Sequence, residues 1–297
     1  MAHMAQTYRA TDTGIDFIMG HGTLNDFIII TDDRAELSLD AELTRRLCDR
    51  RGGIGADGVL RVATAGALLS AGVLSTLPGG VDASDWFMDY RNADGSIAEM
   101  CGNGVRVFAH ALVSTGRAAV GSVRVGTRSG LRPAEIIDHG GDSAVVRVDM
   151  GQPELLGLSS VQIGDRTFAG MAIDMGNPHL ACVVPDLDAE GLAALAVQAQ
   201  PQFDSEFFPA GVNVEIATPM SDGRVRMRVH ERGAGETMSC GTGVVATAVA
   251  ALADSGWTEG DVVVTVPGGD LTVTLTGEGS TLTGPSVLVA QGTYRGV

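Results

Sequence analysis

Two short blocks of this sequence place a thiol directly before a pair of glycines. Residues 101–104 read CGNG and residues 240–243 read CGTG, and each block precedes a run of residues with helical periodicity. The start of a helix has about four unpaired backbone N–H groups and carries roughly half a positive charge. A cysteine at this position has its thiolate favoured, and the glycines let an anionic ligand approach the backbone. A packed structural thiol would need neither feature.

Two such thiols on opposite faces of one bound molecule suit the inversion of a carbon stereocentre. One thiolate removes a proton from carbon, and the other thiol returns a proton to the opposite face. The two helix starts stabilise the charge that develops on the adjacent carboxylate. This chemistry requires no cofactor and no metal ion, so we predict neither.

The similarity between the two halves extends beyond the cysteines. Asn92 precedes Cys101 by nine residues, and Glu231 precedes Cys240 by the same spacing. Farther upstream, residues 19–30 and 175–184 each combine a glycine-containing polar turn with an apolar strand. The order turn, strand, cysteine, helix therefore occurs twice, which predicts two similar lobes that face each other. We assign residues 1–150 with 284–297 to the first lobe and residues 151–283 to the second.

Hydrophobic periodicity predicts an α+β fold of mainly antiparallel strands with two prominent helices. Alternation of apolar and polar residues predicts strands at 26–30, 144–150, 225–231, 262–266 and 271–276, with a hairpin turn at 267–270. The first cysteine block begins an amphipathic helix that ends near Gly116, with Arg106 and His110 opposite its apolar face. The second begins an apolar helix that ends near Gly256. Residues 65–85 are interpreted as a loop or insertion.

The composition favours a globular protein that acts on a small molecule. The 297 residues are 44% hydrophobic and carry a formal net charge of −16, which disfavours binding to nucleic acid or to an anionic membrane. Four dispersed cysteines lack the spacing of a zinc site or a disulfide scaffold, and no secretory signal is recognised. We therefore predict a cytoplasmic protein with no membrane partner, and a homodimer is compatible with the sequence.

The chain resembles the diaminopimelate epimerase family over nearly its whole length. The resemblance rests on eight segments: LNDF (24–27), CDRRGGIGADG (48–58), YRNADGS (90–96), EMCGNGVR (99–106), MGNPH (175–179), GVNVE (211–215), ERGAGET (231–237) and SCGTG (239–243). It implies interconversion of LL- and meso-diaminopimelate without pyridoxal phosphate, in lysine and peptidoglycan-precursor biosynthesis. It also implies that Cys101 and Cys240 are the acid/base pair. The fold that it implies has two pseudo-symmetric lobes, each a mainly antiparallel sheet wrapped around a central helix, with the active site in the cleft between them.

The same resemblance assigns further residues to the site. His179 and Glu231 are expected to assist proton transfer. The reacting carboxylate is expected to bind the backbone at Gly102, Asn103, Gly241 and Thr242. The remaining expected pocket residues, together with Glu231, are Asn25, Asn92, Asn177, Asn213 and Arg232. These types are suitable because Arg232 can bind a carboxylate in a forked arrangement and Glu231 can pair with an ammonium group.

Two other functions remain open on the sequence alone. One is a cysteine-pair racemase acting on proline or hydroxyproline, although a substrate with one carboxylate offers little for Arg232 to bind. The other is a thiol redox or metal-binding protein that uses Cys101 and Cys240. The other two cysteines, Cys48 and Cys182, lack the glycine setting and are interpreted as structural.

Overall fold

The computed structural model describes residues 14–296 of the chain. These residues form two compact units: the first ends at Val148 and resumes at Pro285, and the second is Asp149–Gly284. None of the helices in this part of the chain has both the length and the apolar character needed to traverse a bilayer.

The first unit contains seven strands and three helices before the chain enters the second unit. The strands are β1 (Ile15–Gly22), β2 (Asn25–Thr31), β3 (Gly58–Thr64), β4 (Trp86–Asn92), β5 (Ser122–Thr127), β6 (Gly130–His139) and β7 (Ser143–Gly151). The helices are α1 (Ala41–Cys48), α2 (Ala65–Ser70) and α3 (Gly102–Ser114).

The second unit repeats this mixture. Its strands are β8 (Glu154–Ile163), β9 (Arg166–Asp174), β10 (Pro178–Val183), β11 (Gln202–Phe203), β12 (Asn213–Ala217), β13 (Arg224–Glu231), β14 (Gly235–Thr237), β15 (Gly260–Val266) and β16 (Gly269–Thr276). Its helices are α4 (Ala189–Ala194) and α5 (Gly241–Asp254). The last strand, β17 (Gly279–Tyr294), begins in the second unit and ends in the first.

Each unit alternates antiparallel hairpins with parallel pairings. In the first unit, β2 pairs in parallel with β3, and β4 with β5. In the second unit, β10 pairs in parallel with β12, and β13 with β15. A parallel connection needs a crossover segment, usually a helix, and the four connections contain α1, α3, α4 and α5 respectively. The predicted α+β fold is confirmed, with these parallel pairings added to the expected antiparallel pattern.

The two cysteine blocks begin the central helices, as predicted. Helix α3 packs against β1, β2 and β6, and α5 packs against β10, β12 and β15. Both helices end two residues before a glycine of positive φ: Gly116 at 71° and Gly256 at 80°. The amides that follow, of Arg117 and Trp257, donate back to the carbonyls of Leu112 and Leu252. Glycine adopts this left-handed geometry without strain and thereby ends each helix.

The predicted strands are also present. The five segments lie within β2, β7, β13, β15 and β16, and Val266 pairs with Gly269 across the predicted hairpin turn. The interpretation of residues 65–85 as a loop is wrong at its start, because Ala65–Ser70 form α2. Thr64 caps this helix by accepting from the amide of Ala67, and Leu68 is fully buried.

The polar face of α3 does not face solvent, which corrects the amphipathic interpretation of this helix. Arg106 and His110 are both fully buried. The Nε2 of His110 lies 2.9 Å from the carbonyl oxygen of Gly141, and its Nδ1 lies 3.0 Å from Oγ of Ser286. Because a carbonyl can only accept, Nε2 carries the hydrogen and Nδ1 accepts from Ser286. Strands and loops of the surrounding structure therefore cover the polar face of this helix.

Candidate active site

Cys101 is the N-cap residue of α3, with an extended backbone (φ −147°, ψ 115°). Its sulfur is half-buried and accepts a hydrogen bond from the amide of Gly104 at 3.3 Å. The Oδ1 of Asn25 lies 3.7 Å from the sulfur and 3.3 Å from Nδ2 of Asn103. Because Nδ2 of Asn25 donates to Asp57 at 2.7 Å, the Asn25 amide has its oxygen directed at the cysteine. The first unit thus brings three of the predicted residues together.

A buried cation accompanies Cys101 on the same helix. Arg106 is fully buried, and its hydrogen bonds go to neutral oxygens, Oγ1 of Thr23 at 3.2 Å and the carbonyl of Pro285 at 3.3 Å. Burial lowers the pKa of its guanidinium to about 10, while attraction to the Cys101 thiolate acts in the opposite direction. At neutral pH the group therefore remains a cation that favours the charged form of the cysteine.

Two further predicted residues of this unit are Gly102 and Asn92. Gly102, the first residue of α3, is buried. Asn92 ends β4, where its Nδ2 donates to Oγ of Ser96 at 3.0 Å. The polar contact of the Asn92 side chain is therefore to its own turn and not to the cysteine.

Cys240 is the N-cap residue of α5 in a similar extended conformation (φ −121°, ψ 114°). It is buried, and its sulfur lies 3.5 Å from Oγ1 of Thr242. Burial raises the pKa of this thiol well above its usual range, and the charges of Glu231 and Glu215 raise it further. The expectation that the helix start would favour both thiolates is wrong for Cys240, because burial and two neighbouring carboxylates outweigh the helix dipole.

Glu231, an acidic residue predicted for the site, contacts Cys240. It ends β13, accepts a hydrogen bond from Oγ1 of Thr237, and shares a hydrogen bond with the cysteine. Burial raises the pKa of the Glu231 carboxyl, while these hydrogen bonds act in the opposite direction. A raised pKa brings this group closer to the range in which a carboxyl can accept and release a proton.

His179 is fully buried on β10 and makes a hydrogen bond through each ring nitrogen. Its Nδ1 lies 2.7 Å from Oε1 of Glu215, and its Nε2 lies 3.2 Å from Oδ1 of Asn177. The predicted pair His179 and Asn177 therefore lie in contact, and the third member of the group, Glu215, was not predicted.

Asn213 and Arg232 form the remaining contact of the second unit. Asn213 accepts from the backbone N–H of Arg232 at 2.9 Å and donates to the carbonyl of Pro178 at 3.2 Å. The exposed side chain of Arg232 donates through Nη1 to the carbonyl of Ala210 at 2.8 Å. Asn213 thus fixes the backbone at the base of a guanidinium that remains accessible to a ligand.

The other two cysteines lie in the cores of the two units. Cys48 and Cys182 are both buried. Burial raises the pKa of the Cys48 thiol to about 12 and raises that of Cys182 as well. Neither begins a helix, and both are unreactive at neutral pH by this criterion.

A protein-family model described as diaminopimelate epimerase matches residues 17–156 and again residues 171–295. The chain belongs to the diaminopimelate epimerase family. A diaminopimelate epimerase from Corynebacterium glutamicum is 57% identical over 278 residues, which cover 94% of this chain and 97% of that protein. One from Rhodococcus opacus is 56% identical over 278 residues, covering 94% and 96%.

Solved structures extend the likeness in fold to more distant proteins. A probable proline racemase from Agrobacterium radiobacter superposes with a TM-score of 0.67 at 17% identity, covering 94% of this chain and 92% of that one. A hydroxyproline epimerase from Agrobacterium vitis, solved with bound trans-4-hydroxy-L-proline, gives a TM-score of 0.65 at 16% identity with the same coverage. At such identities the likeness concerns the fold alone, so membership of the diaminopimelate epimerase family rests on the sequence matches.

Two charged residues of this family member were missed as parts of the site. Glu215 follows Asn213 by two residues on β12, so both occupy the same face of the strand. The sequence signal that could have identified Glu215 is the presence of a carboxylate within the otherwise apolar run VEIA. Arg106 was recognised on α3 but assigned to a polar face, because helical periodicity does not reveal which strands cover a helix.

Proposed function

We propose that this protein interconverts LL- and meso-diaminopimelate, with Cys101 and Cys240 as its two acid/base groups. The observation that carries the proposal is the cysteine N-cap of the central helix in each unit. Membership of the diaminopimelate epimerase family supports the choice of substrate. The compartment that fits this biosynthetic reaction is the cytoplasm.

The reaction moves one proton off the α-carbon and another onto its opposite face. One cysteine, as thiolate, takes the α-proton, and the electron pair of the broken C–H bond is delocalised into the adjacent carboxylate. The other cysteine, as thiol, donates a proton to the carbon from the opposite side. The amides at Gly102, Asn103, Gly241 and Thr242 hold the carboxylate, where the helix dipoles stabilise its added negative charge.

The charges around the two thiols support different starting roles. Cys101 has the buried guanidinium of Arg106 beside it, whereas Glu231 and Glu215 raise the pKa of Cys240. In the resting enzyme Cys101 is therefore the base and Cys240 the acid. After one turnover these protonation states are exchanged, so the reverse reaction begins from the other thiol.

The distal end of the substrate binds through charged and amide side chains. Arg232 binds the distal carboxylate, and Glu231 pairs with an ammonium group. Asn25, Asn92, Asn177 and Asn213 supply neutral donors and acceptors. His179, held between Glu215 and Asn177, assists proton transfer on the Cys240 side.

Incorporation of solvent deuterium tests the proposal directly. In D2O the purified protein should introduce deuterium at the α-carbon of LL- and meso-diaminopimelate, measured by mass spectrometry, and the rate should persist with a chelator present. Proline and hydroxyproline serve as the comparison substrates, because the fold is shared with proteins named for them. Exchange into proline but not diaminopimelate would overturn the substrate assignment.

A further inference from the structure

Glu215 is a carboxylate buried inside the second unit. Its side chain is 0% exposed and lies on β12 between Val214 and Ile216, which are also fully buried. Oε1 lies 2.7 Å from Nδ1 of His179, whereas Oε2 has no hydrogen-bond partner among the described residues. Burying a carboxylate costs free energy unless its charge is paired and its oxygens accept hydrogen bonds.

The start of α5 is shaped around this carboxylate. A Cβ added at Gly243 would lie 2.4 Å from Oε1 of Glu215 and 3.1 Å from its Cδ. At the equivalent position of α3, a Cβ added at Gly104 would meet only ordinary contacts, 3.4 Å from Cβ of Cys101 and from Sδ of Met88. The last glycine of the CGTG block is therefore needed for Glu215 to approach the helix start.

The hydrogen bond to Glu215 also fixes the state of His179. A carboxylate accepts, so Nδ1 of the ring carries the hydrogen and Nε2 faces Asn177. The amide of Asn177 can present its oxygen or its nitrogen there, so Nε2 can donate or accept. The bond to Glu215 thus holds the ring in place and directs Nε2 at Asn177.

We propose that Glu215 is a positioning residue for the Cys240 half of the reaction, which orients His179 through Nδ1 and keeps Cys240 protonated through its charge. Two carboxylates act on Cys240, Glu231 on β13 and Glu215 on β12, and His179 on β10 acts in turn on Glu231. The first turn of α5 contributes no acidic residue. Glu231 bonds to the thiol itself, whereas Glu215 acts on it through space and on His179 by contact.

Two substitutions separate the charge of Glu215 from its hydrogen bond. Glu215→Gln removes the charge but keeps the shape and an oxygen that can accept from His179. The rate of alkylation of Cys240 by iodoacetamide at pH 8, followed by peptide mass spectrometry, should rise about tenfold. Glu215→Asp keeps the charge but shortens the side chain, so this rate should stay within about twofold of the wild type while kcat falls about 10-fold to 100-fold.

An exposed carboxylate in the same unit provides the control. Glu190→Gln changes the charge by the same amount at the first turn of α4 and should leave both readouts unchanged. Folding of every variant is checked by circular dichroism. If Glu215→Gln folds and alkylation of Cys240 stays at the wild-type rate, the charge effect is disproved. If Glu215→Asp keeps wild-type kcat, the orienting effect is disproved.

A measurement on the wild-type protein keeps the inference testable if the variants do not fold. In ¹⁵N-histidine NMR, with the signal assigned by comparison with His179→Gln, Nδ1 of His179 should carry a bonded hydrogen at neutral pH. An unprotonated Nδ1 would overturn the proposal. The effect on kcat rests on the proposed function, but the alkylation and NMR readouts do not. They would still decide the role of Glu215 if the protein failed to act on diaminopimelate.

Discussion

The starts of helices α3 and α5 share a backbone geometry but differ in their electrostatics. Both are capped by a cysteine of extended conformation followed by Gly-x-Gly. Five residues after its cysteine, α3 carries the buried Arg106, whereas α5 carries the buried Val245. The carboxylates of Glu231 and Glu215 raise the pKa of the second cysteine. A repeated motif thus fixes where a thiol sits, and the strands packed around it decide its charge.

The largest expected effect comes from removing either thiol. Because each cysteine serves one face of the carbon, Cys101→Ala and Cys240→Ala should each lower epimerisation about 10³-fold or more. The assay is the conversion of LL- to meso-diaminopimelate, with circular dichroism to check the fold. Cys48→Ala, at a buried cysteine outside both helix starts, is the matched control and should keep most of its activity. Near-normal turnover in either active-site variant would contradict a two-base reaction.

The two thiols should also differ in reactivity in the unmodified protein. The raised pKa of Cys240 means that it is protonated at neutral pH and forms thiolate only as the pH rises. At pH 7 we expect iodoacetamide to alkylate Cys101 about 100-fold faster than Cys240. A low rate caused by poor access to the sulfur would not change with pH. A rate limited by ionisation of the thiol should instead keep rising through pH 9 for Cys240. Equal alkylation rates at pH 7, measured by peptide mapping, would contradict the inferred difference in charge between the two helix starts.

The last glycines of the two blocks should differ in their tolerance of a side chain. Gly243→Ala places a methyl group against Glu215 and should destabilise the protein by about 1–3 kcal/mol. Gly104→Ala meets only ordinary contacts, and alanine favours the helix, so its stability should change by less than about 1 kcal/mol. Denaturant unfolding followed by circular dichroism measures both. Equal losses would show that the two helix starts are packed alike.

A substitution of Arg106 tests the difference between the two helix starts through the smallest expected effect. Replacing it with methionine removes the cation beside Cys101 but keeps an apolar side chain of similar length. The rate of Cys101 alkylation at pH 7 should fall about tenfold, while that of Cys240 should not change. Arg106→Lys retains the charge and should preserve most of the wild-type rate. A rate for Arg106→Met equal to that of the wild type would show that the helix start alone activates this thiol.

Local sequence was enough to predict the elements that carry the site. The CGNG and CGTG blocks predicted both helix starts, Gly116 and Gly256 predicted their ends, and alternation predicted strands such as β13 and the β15–β16 hairpin. These features depend on residues a few positions apart, through capping, backbone conformation and side-chain period. The polar residues quoted for the family resemblance were recognisable for the same reason, as short contiguous segments.

The tertiary structure decided what lies around those elements. Helical periodicity placed Arg106 opposite the apolar face of α3, but it could not show that loops and strands far away in sequence cover this residue. Glu215 lies on a different strand from His179 and meets it only because β10 and β12 pair in parallel. The raised pKa of Cys240 likewise depends on burial and on carboxylates from β12 and β13. Charge interactions and desolvation act through space, so a pattern along the chain could place the two thiols but could not assign their protonation states.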